Sequence, residues 1–282
     1  MIIRIDFSSE IGLGHLKRIE AFVKKYNIKN SVIICKECNE KLTSLPVVKI
    51  KDEKEFFKEE KKLNPQKVIV DNYNFTYENE KEFKKLFPEI KLIVFDDLYY
   101  RHYADEVINV NLYAKKEKYI GKIPPFCKVT ILPPLIREEF QKAKKKKDKK
   151  EGIFISFGGT DAKGIGLKVL KELKKLKFPV NFYTTSSNKN LIKLKRFCQV
   201  NKWCKLHIDE NVAKGMAKSK FAIITPSTIS WEAIHMNLPF IAIEIADNQK
   251  EIAKYLKEKR ISVLKIRDIR KIGEKLRRFN IG

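Results

Sequence analysis

The chain has 282 residues, 43% of them apolar and 34% charged, with 60 Lys and Arg against 35 Asp and Glu and a formal net charge of +25. That much apolar material excludes a disordered tail, and the length suits two domains better than one. No run approaches the ~18 consecutive apolar residues of a membrane span, and the opening MIIRIDFSSE lacks the parts of a signal peptide, so a cytoplasmic protein with no membrane partner is expected.

In chain order, MIIRIDF, SVIICK, QKVIVD and KLIVFD have the composition of buried strands, and residues 15–26, 52–63 and 77–87 carry apolar positions near helical spacing. Residues 142–150, KAKKKKDKK, interrupt this pattern with seven Lys and one Asp. The alternation then restarts with GIFISF, a helix over 162–176, PVNFYT, a helix over 188–200, KLHI, KFAIIT, a helix over 228–236, PFIAIEI, a helix over 248–259 and ISVLKI. Continuous apolar strands alternating with helices imply parallel sheets covered on both faces. The expected class is α/β, with two Rossmann-like doubly wound domains facing a cleft: residues 1–140, a Lys-rich linker at 141–151, and residues 152–282 ending in a basic helix.

Eleven of the 25 excess positive charges lie in residues 142–150 and 265–278. A Lys block without aromatic residues reads as a solvated linker, so no nucleic-acid partner is expected. The five cysteines (Cys35, Cys38, Cys127, Cys198, Cys204) are an odd, scattered set and predict no disulfide framework. Cys35-x-x-Cys38 lacks the second pair that a zinc site needs, and the four histidines (His15, His102, His207, His235) form no ligand motif. No catalytic metal is expected.

Ligands of doubly wound sheets lie beyond the C-terminal strand ends, so the loops there are the informative ones. The first strand leads into Ser8-Ser9-Glu10-Ile11-Gly12-Leu13-Gly14-His15-Leu16-Lys17-Arg18, where Lys17 replaces the third glycine of a dinucleotide fingerprint and a standard NAD site is not expected. His15 falls at a predicted helix start. A helix N-terminus disfavours imidazolium, which makes His15 a candidate proton acceptor; the simpler alternative is a residue that caps or packs on the loop.

In the second half, Gly158-Gly159-Thr160-Asp161 precedes a helix and offers backbone N–H groups and a hydroxyl to a diphosphate, or else forms a tight turn with Asp161 as helix cap. Thr225-Pro226-Ser227-Thr228 crowds hydroxyls at another helix start, and Glu232 follows one turn later, placed for ribose hydroxyls or for stabilising the helix end. Asp71-Asn72-Tyr73, Asp96-Asp97 and Ala246-Asp247-Asn248-Gln249 also end strands. Adjacent Asp96 and Asp97 point to opposite faces and are not expected to act as paired carboxylates; one of them caps the turn.

The segments RIDFSSEIGLGHLKR, DNY, VFDD, INVNLYAKKEKY, PPLIREEF, SFGGTD and ADNQ, in this order across roughly residues 2–265, resemble one family. It is the UDP-2,4-diacetamido-2,4,6-trideoxy-β-L-altropyranose hydrolases of pseudaminic acid biosynthesis, related to the UDP-GlcNAc transferase of peptidoglycan synthesis. The resemblance implies a GT-B fold and a small-molecule UDP-sugar substrate, with UDP held by the C-terminal domain and the catalytic group brought by the N-terminal one; no cofactor or metal is expected, and water delivered by His15 opposite the diphosphate is expected to attack the anomeric carbon with inversion. His15 matches the family's catalytic histidine, Asn248 the asparagine of A-D-N-Q and Tyr73 a tyrosine of the site. Gly158, Gly159, Thr160, Ser227, Thr228 and Glu232 match the UDP loops, with Glu232 toward the ribose, and Gly14, Arg18 and Gln249 fall in the shared motifs as substrate- or UDP-binding positions. The chain departs from the family's glycine-rich loop at Thr225-Pro226-Ser227-Thr228, where the hydroxyls are kept and Pro226 has no N–H to offer a phosphate. Two rival readings are a GT-B glycosyltransferase using a UDP-sugar donor and a basic nucleic-acid-binding protein on a vestigial sugar fold. A monomer is expected.

Overall fold

The computed structural model describes all residues except 9–10, 146–148, 162, 177, 278 and 280–282. They form two compact units, Met1–Leu135 and Ile136–Gly282, each built on its own parallel sheet, as the α/β expectation required.

The first sheet contains β1 (Ile2–Ile5), β2 (Val32–Cys35), β3 (Val47–Lys49), β4 (Lys67–Asp71), β5 (Lys91–Phe95), β6 (Glu106–Asn109) and β7 (Lys128–Ile131), in the order β3-β2-β1-β4-β5-β6-β7. Helices α1 (Gly14–Lys25), α2 (Glu53–Leu63) and α3 (Tyr77–Leu86) cover it. Alternate strand residues point to opposite faces, so each strand feeds two cores. Ile3, Ile5, Ile33 and Ile69 pack with Leu16, Ile19 and Phe22 of α1, while Ile2, Ile34, Val68 and Val70 pack with Phe56 and Phe57 of α2 and Phe83 of α3. Strands β3, β6 and β7 went unpredicted because three or four residues, some of them charged, show no readable period.

The second unit runs α4 (Glu138–Lys144), β8 (Ile153–Ser156), α5 (Ile165–Leu173), β9 (Val180–Thr184), α6 (Leu191–Val200), β10 (Cys204–Ile208), α7 (Val212–Ala217), β11 (Phe221–Ile224), α8 (Thr228–His235), β12 (Phe240–Glu244), α9 (Lys250–Glu258), β13 (Val263–Lys265) and α10 (Ile272–Arg277). Its strand order is β10-β9-β8-β11-β12-β13. Helix α5 starts later than predicted because Asp161 (φ +40°) and Gly164 (φ +61°) hold the chain in the left-handed region before it. The division between units precedes the predicted linker. Residues 138–144 are helical, Phe140 and Ala143 are buried, and Glu139 accepts from Asn211 Nδ2 at 3.1 Å. The centre of the Lys block, 146–148, lies outside the described residues. The basic C-terminal helix docks through Ile272 and Leu276.

The cysteine expectation is corrected. Cys35 is bonded to Cys38 and Cys198 to Cys204, while Cys127 is free and buried. The turn after β2 and the loop from α6 to β10 bring the paired Cα atoms to 6.0 and 4.9 Å, within the spacing a disulfide needs, which sequence separation alone did not reveal. Among the described residues no helix is long and apolar enough to cross a membrane, and no cluster of three or more His, Cys, Asp or Glu is arranged to hold a metal ion.

Candidate active site

In the first sheet the strand order reverses between β1 and β4, the switch point at which open α/β sheets form a crevice. Ile5 of β1 pairs in register with Asp71, the last residue of β4. His15 sits in the first turn of α1, directly beyond β1, and its Nδ1 lies 2.6 Å from Asp71 Oδ1. Gly12, at φ +97°, makes the turn that precedes this helix, and Gly14 opens it.

Arg18, one turn after His15, completes the cluster. Its Nε donates to Asp71 Oδ2 at 2.8 Å, Nη2 donates to Asp71 Oδ1, and Nη1 donates to Asp97 Oδ2 at 2.9 Å. Tyr73 donates its hydroxyl to Asp97 at 2.9 Å, and its ring meets the His15 ring edge to face with centroids 4.8 Å apart. Burial works against ionisation of Asp71, but Arg18 and His15 overcome it and hold the carboxyl down at about 2. Asp71 is therefore a fixed anion at neutral pH, which favours the ring tautomer carrying its proton on Nδ1 and leaves the Nε2 lone pair free. Burial and the Asp97 charge push the Tyr73 phenol above its ordinary value, so it remains neutral and serves as a donor to Asp97.

Asp96 and Asp97 diverge as expected. Asp96 is buried and accepts from the N–H groups of Leu98 and Tyr99 and from Tyr119 Oη, whereas Asp97 faces Arg18 and Tyr73.

In the second sheet the order reverses between β8 and β11, and the two loops singled out from the sequence follow these neighbouring strands. Gly158 adopts φ +82° beside open space. At Gly159 a Cβ would lie 2.8 Å from Thr185 Cγ2, so glycine is required for the loop to pack, and its carbonyl accepts from Thr184 Oγ1 and Thr185 Oγ1, each at 2.9 Å. Thr160 is half-buried next to them. Asp161 is the helix cap: its carboxylate accepts from the N–H groups of Ile165 and Gly166, both at 2.8 Å. The first N–H groups of α5 are thus already satisfied by an anion and are not open to a diphosphate, which is the second of the two readings of this loop, the turn closed by Asp161.

At α8, Ser227 is the cap residue and its Oγ contacts Thr225 Oγ1 at 2.9 Å instead of capping the first turn. Glu232 lies one turn further on and is 1% exposed. Both its oxygens are taken by one edge of the Arg137 guanidinium, Nε to Oε1 at 2.6 Å and Nη2 to Oε2 at 2.9 Å. Burial pushes this carboxyl up and Arg137 opposes it. After β12, Gln249 spends its amide oxygen on the Ile245 N–H at 2.8 Å, and Asn248 is exposed on the short 3₁₀ turn Asp247–Gln249.

No protein-family model matches the chain. It is 36% identical over 271 residues, 92% of its own length and 96% of the relative's, to the UDP-2,4-diacetamido-2,4,6-trideoxy-β-L-altropyranose hydrolase of Campylobacter jejuni. The chain belongs to this hydrolase family. A more distant relative of this hydrolase-family chain is an uncharacterised protein of Methanocaldococcus jannaschii, 28% identical over 277 residues, of which the chain spans 56%. Among solved structures it is similar to Acinetobacter baumannii MurG (TM-score 0.61, 14% identity, 98% of this chain and 90% of that one) and to Os79 from O. sativa (TM-score 0.64, 9% identity, 100% and 92%). The fold of this hydrolase-family member is GT-B.

Structure adds residues that sequence reasoning noted weakly or passed over. Asp71 was visible only as a strand-end acid, Asp97 only as one of a pair, and Arg137 as an unremarked position in PPLIREEF. Asp6 was missed altogether, although an acid ending the apolar strand β1 was a usable signal. It accepts from Arg4 Nη1 at 2.8 Å, from Asn72 Nδ2 at 2.7 Å and from the Lys36 N–H at 2.7 Å, tying three strand-end loops together.

Proposed function

We propose that the protein hydrolyses a UDP-linked diacetamido-trideoxy-hexose, releasing UDP and the free sugar, as a step of pseudaminic acid biosynthesis. Family membership supports the substrate class, and the observation that carries the chemistry is the 2.6 Å contact of His15 Nδ1 with the ionised Asp71. With Nδ1–H donating to Asp71, Nε2 accepts a proton from water as the water oxygen bonds to the anomeric carbon. The bond from that carbon to the diphosphate oxygen breaks, UDP leaves with the electron pair, and the sugar inverts. Because UDP is a good leaving group, no acid is needed to protonate it, in contrast to glycosidases. General-base assistance of this kind contributes on the order of 10²- to 10⁴-fold.

Tyr73 and Arg18 act in this reading as positioning residues. Tyr73 braces the imidazole edge, and Arg18 keeps Asp71 charged and aimed. Gly14 leaves the helix start uncrowded beside His15. The second unit binds UDP through Gly158, Gly159, Thr160, Ser227 and Thr228. Glu232 takes the ribose hydroxyls once Arg137 has released its carboxylate. Asn248 meets the sugar from a turn that Gln249 shapes. No step calls for a metal ion.

The test is incubation with a panel of UDP-sugars in EDTA, without an acceptor, in ¹⁸O-water. UDP release with the label on the sugar supports the proposal. Label on UDP shows attack at phosphorus, and release only on addition of an acceptor shows a transferase.

A further inference from the structure

The loops following β8, β11 and β12 share one sheet edge, since β8 pairs with β11 and β11 with β12. Residues 158–164, 225–228 and 246–249 contain a single basic side chain among them, Lys163, together with the acids Asp161 and Asp247. Asp161 already occupies the start of α5, so that helix end offers its anion-binding groups to its own cap. That helix end therefore does not supply the positive charge for a diphosphate on this edge, and Lys163 is the basic side chain that these loops carry.

Lys163 is exposed, and its Nζ donates to the carbonyl of Ile245, the residue before Ala246-Asp247-Asn248. The N–H of Ile245 is held at the same time by Gln249 Oε1 at 2.8 Å. Both peptide groups of Ile245 are thus fixed, one by the turn itself and the other by the glycine loop. A cavity of about 290 Å³ adjoins this link, with three basic residues, Lys163, Lys265 and Arg267, and two acidic ones, Glu244 and Asp247, in its wall. An ammonium has three donors and a neutral carbonyl uses one of them, which leaves donors for stronger, charge-assisted bonds to phosphate oxygens.

We propose that Lys163 is the cation that meets the nucleotide's diphosphate and that, by keeping its bond to Ile245, it sets the Asn248 turn relative to the bound nucleotide. This rests on the reading of these loops as the UDP site and names the group that supplies their missing positive charge. Lys163 is a binding and positioning residue in this scheme.

Calorimetric titration of UDP and of uridine into the wild type, Lys163→Gln and Lys163→Arg, with steady-state hydrolysis of the UDP-sugar, tests it. The wild type binds UDP more tightly than uridine. Lys163→Gln loses roughly tenfold or more in UDP affinity with uridine affinity unchanged, and Lys163→Arg regains most of the loss. Lys163→Gln also lowers kcat at saturating substrate, because the Asn248 turn has lost its tether. Unchanged UDP affinity in Lys163→Gln overturns the proposal, as does equal weakening of UDP and uridine. An affinity loss with unchanged kcat overturns the coupling to Asn248. A wild type that does not distinguish UDP from uridine defeats the nucleotide-site reading itself, and this proposal with it.

Discussion

Asp71 and His15, 56 residues apart, are joined at 2.6 Å because β1 and β4 are neighbours in the sheet and His15 begins the helix that follows β1. The same carboxylate carries the Arg18 guanidinium, so one buried anion both orients a ring and anchors the helix turn behind it.

Substituting Asp71 by Asn preserves shape but removes the charge that fixes the ring tautomer. The expected result is a fall in kcat of about 10²-fold or more, with UDP affinity unchanged. His15→Ala loses most turnover and keeps UDP binding. Loss of UDP binding in either variant, measured by calorimetry, would assign these residues a structural role.

Tyr73→Phe separates bracing from chemistry. The phenol proton is committed to Asp97, so its removal costs about 1.5 to 3 kcal/mol of stability at most and leaves the edge contact with His15 in place. Turnover falls less than tenfold on this view, roughly the effect of a small reorientation. A kcat as low as that of His15→Ala would place the hydroxyl on the substrate.

Arg137 holds both oxygens of Glu232, the two that a ribose diol would have to take in the proposed UDP site. Arg137→Gln leaves the carboxylate unpaired, so UDP binding strengthens by about 1 to 3 kcal/mol relative to wild type, while Glu232→Gln weakens it. A 2′,3′-dideoxy analogue responds to neither change. Weaker UDP binding in Arg137→Gln would show that the guanidinium helps to hold the nucleotide.

Stability should decline from mildly acidic to alkaline pH. Glu60 is fully buried, neither of its oxygens has a partner among the described residues, and burial pushes its carboxyl from 4.5 up to about 8. Burial opposes the charged form of His102, yet Asp96, 3.7 Å from Nε2, and Glu80, 2.8 Å from Nδ1, push the ring from 6.5 up to about 9. Both groups bind protons more tightly in the folded state. Their contributions are complete below the unfolded values and are lost as pH rises, from 4.5 to about 8 for Glu60 and from 6.5 to about 9 for His102. Urea unfolding at pH 5, 7 and 9 checks this direction. Glu60→Gln should flatten the lower part of the profile and stabilise the protein at pH 8 by on the order of a few kcal/mol; an unaltered profile would show that Glu60 does not titrate there.

The sequence by itself determined two parallel α/β sheets, the strand-end loops that carry the candidate residues and the family, because burial periodicity and short motifs are local properties of the chain. Its boundaries failed where a cap or a left-handed residue redirected the backbone, as Asp161 and Gly164 do before α5. Only the tertiary structure decided what each polar group touches. Arg18 meets Asp97 across 79 residues and Arg137 meets Glu232 across 95, while at α5 the structure chose between the two readings of Gly158-Gly159-Thr160-Asp161, with Asp161 closing the helix end. The reason is physical: a charge's partner is chosen by which strands lie side by side and which loops they bring together, and strand order is a property of the packed sheet that no local pattern of residues encodes.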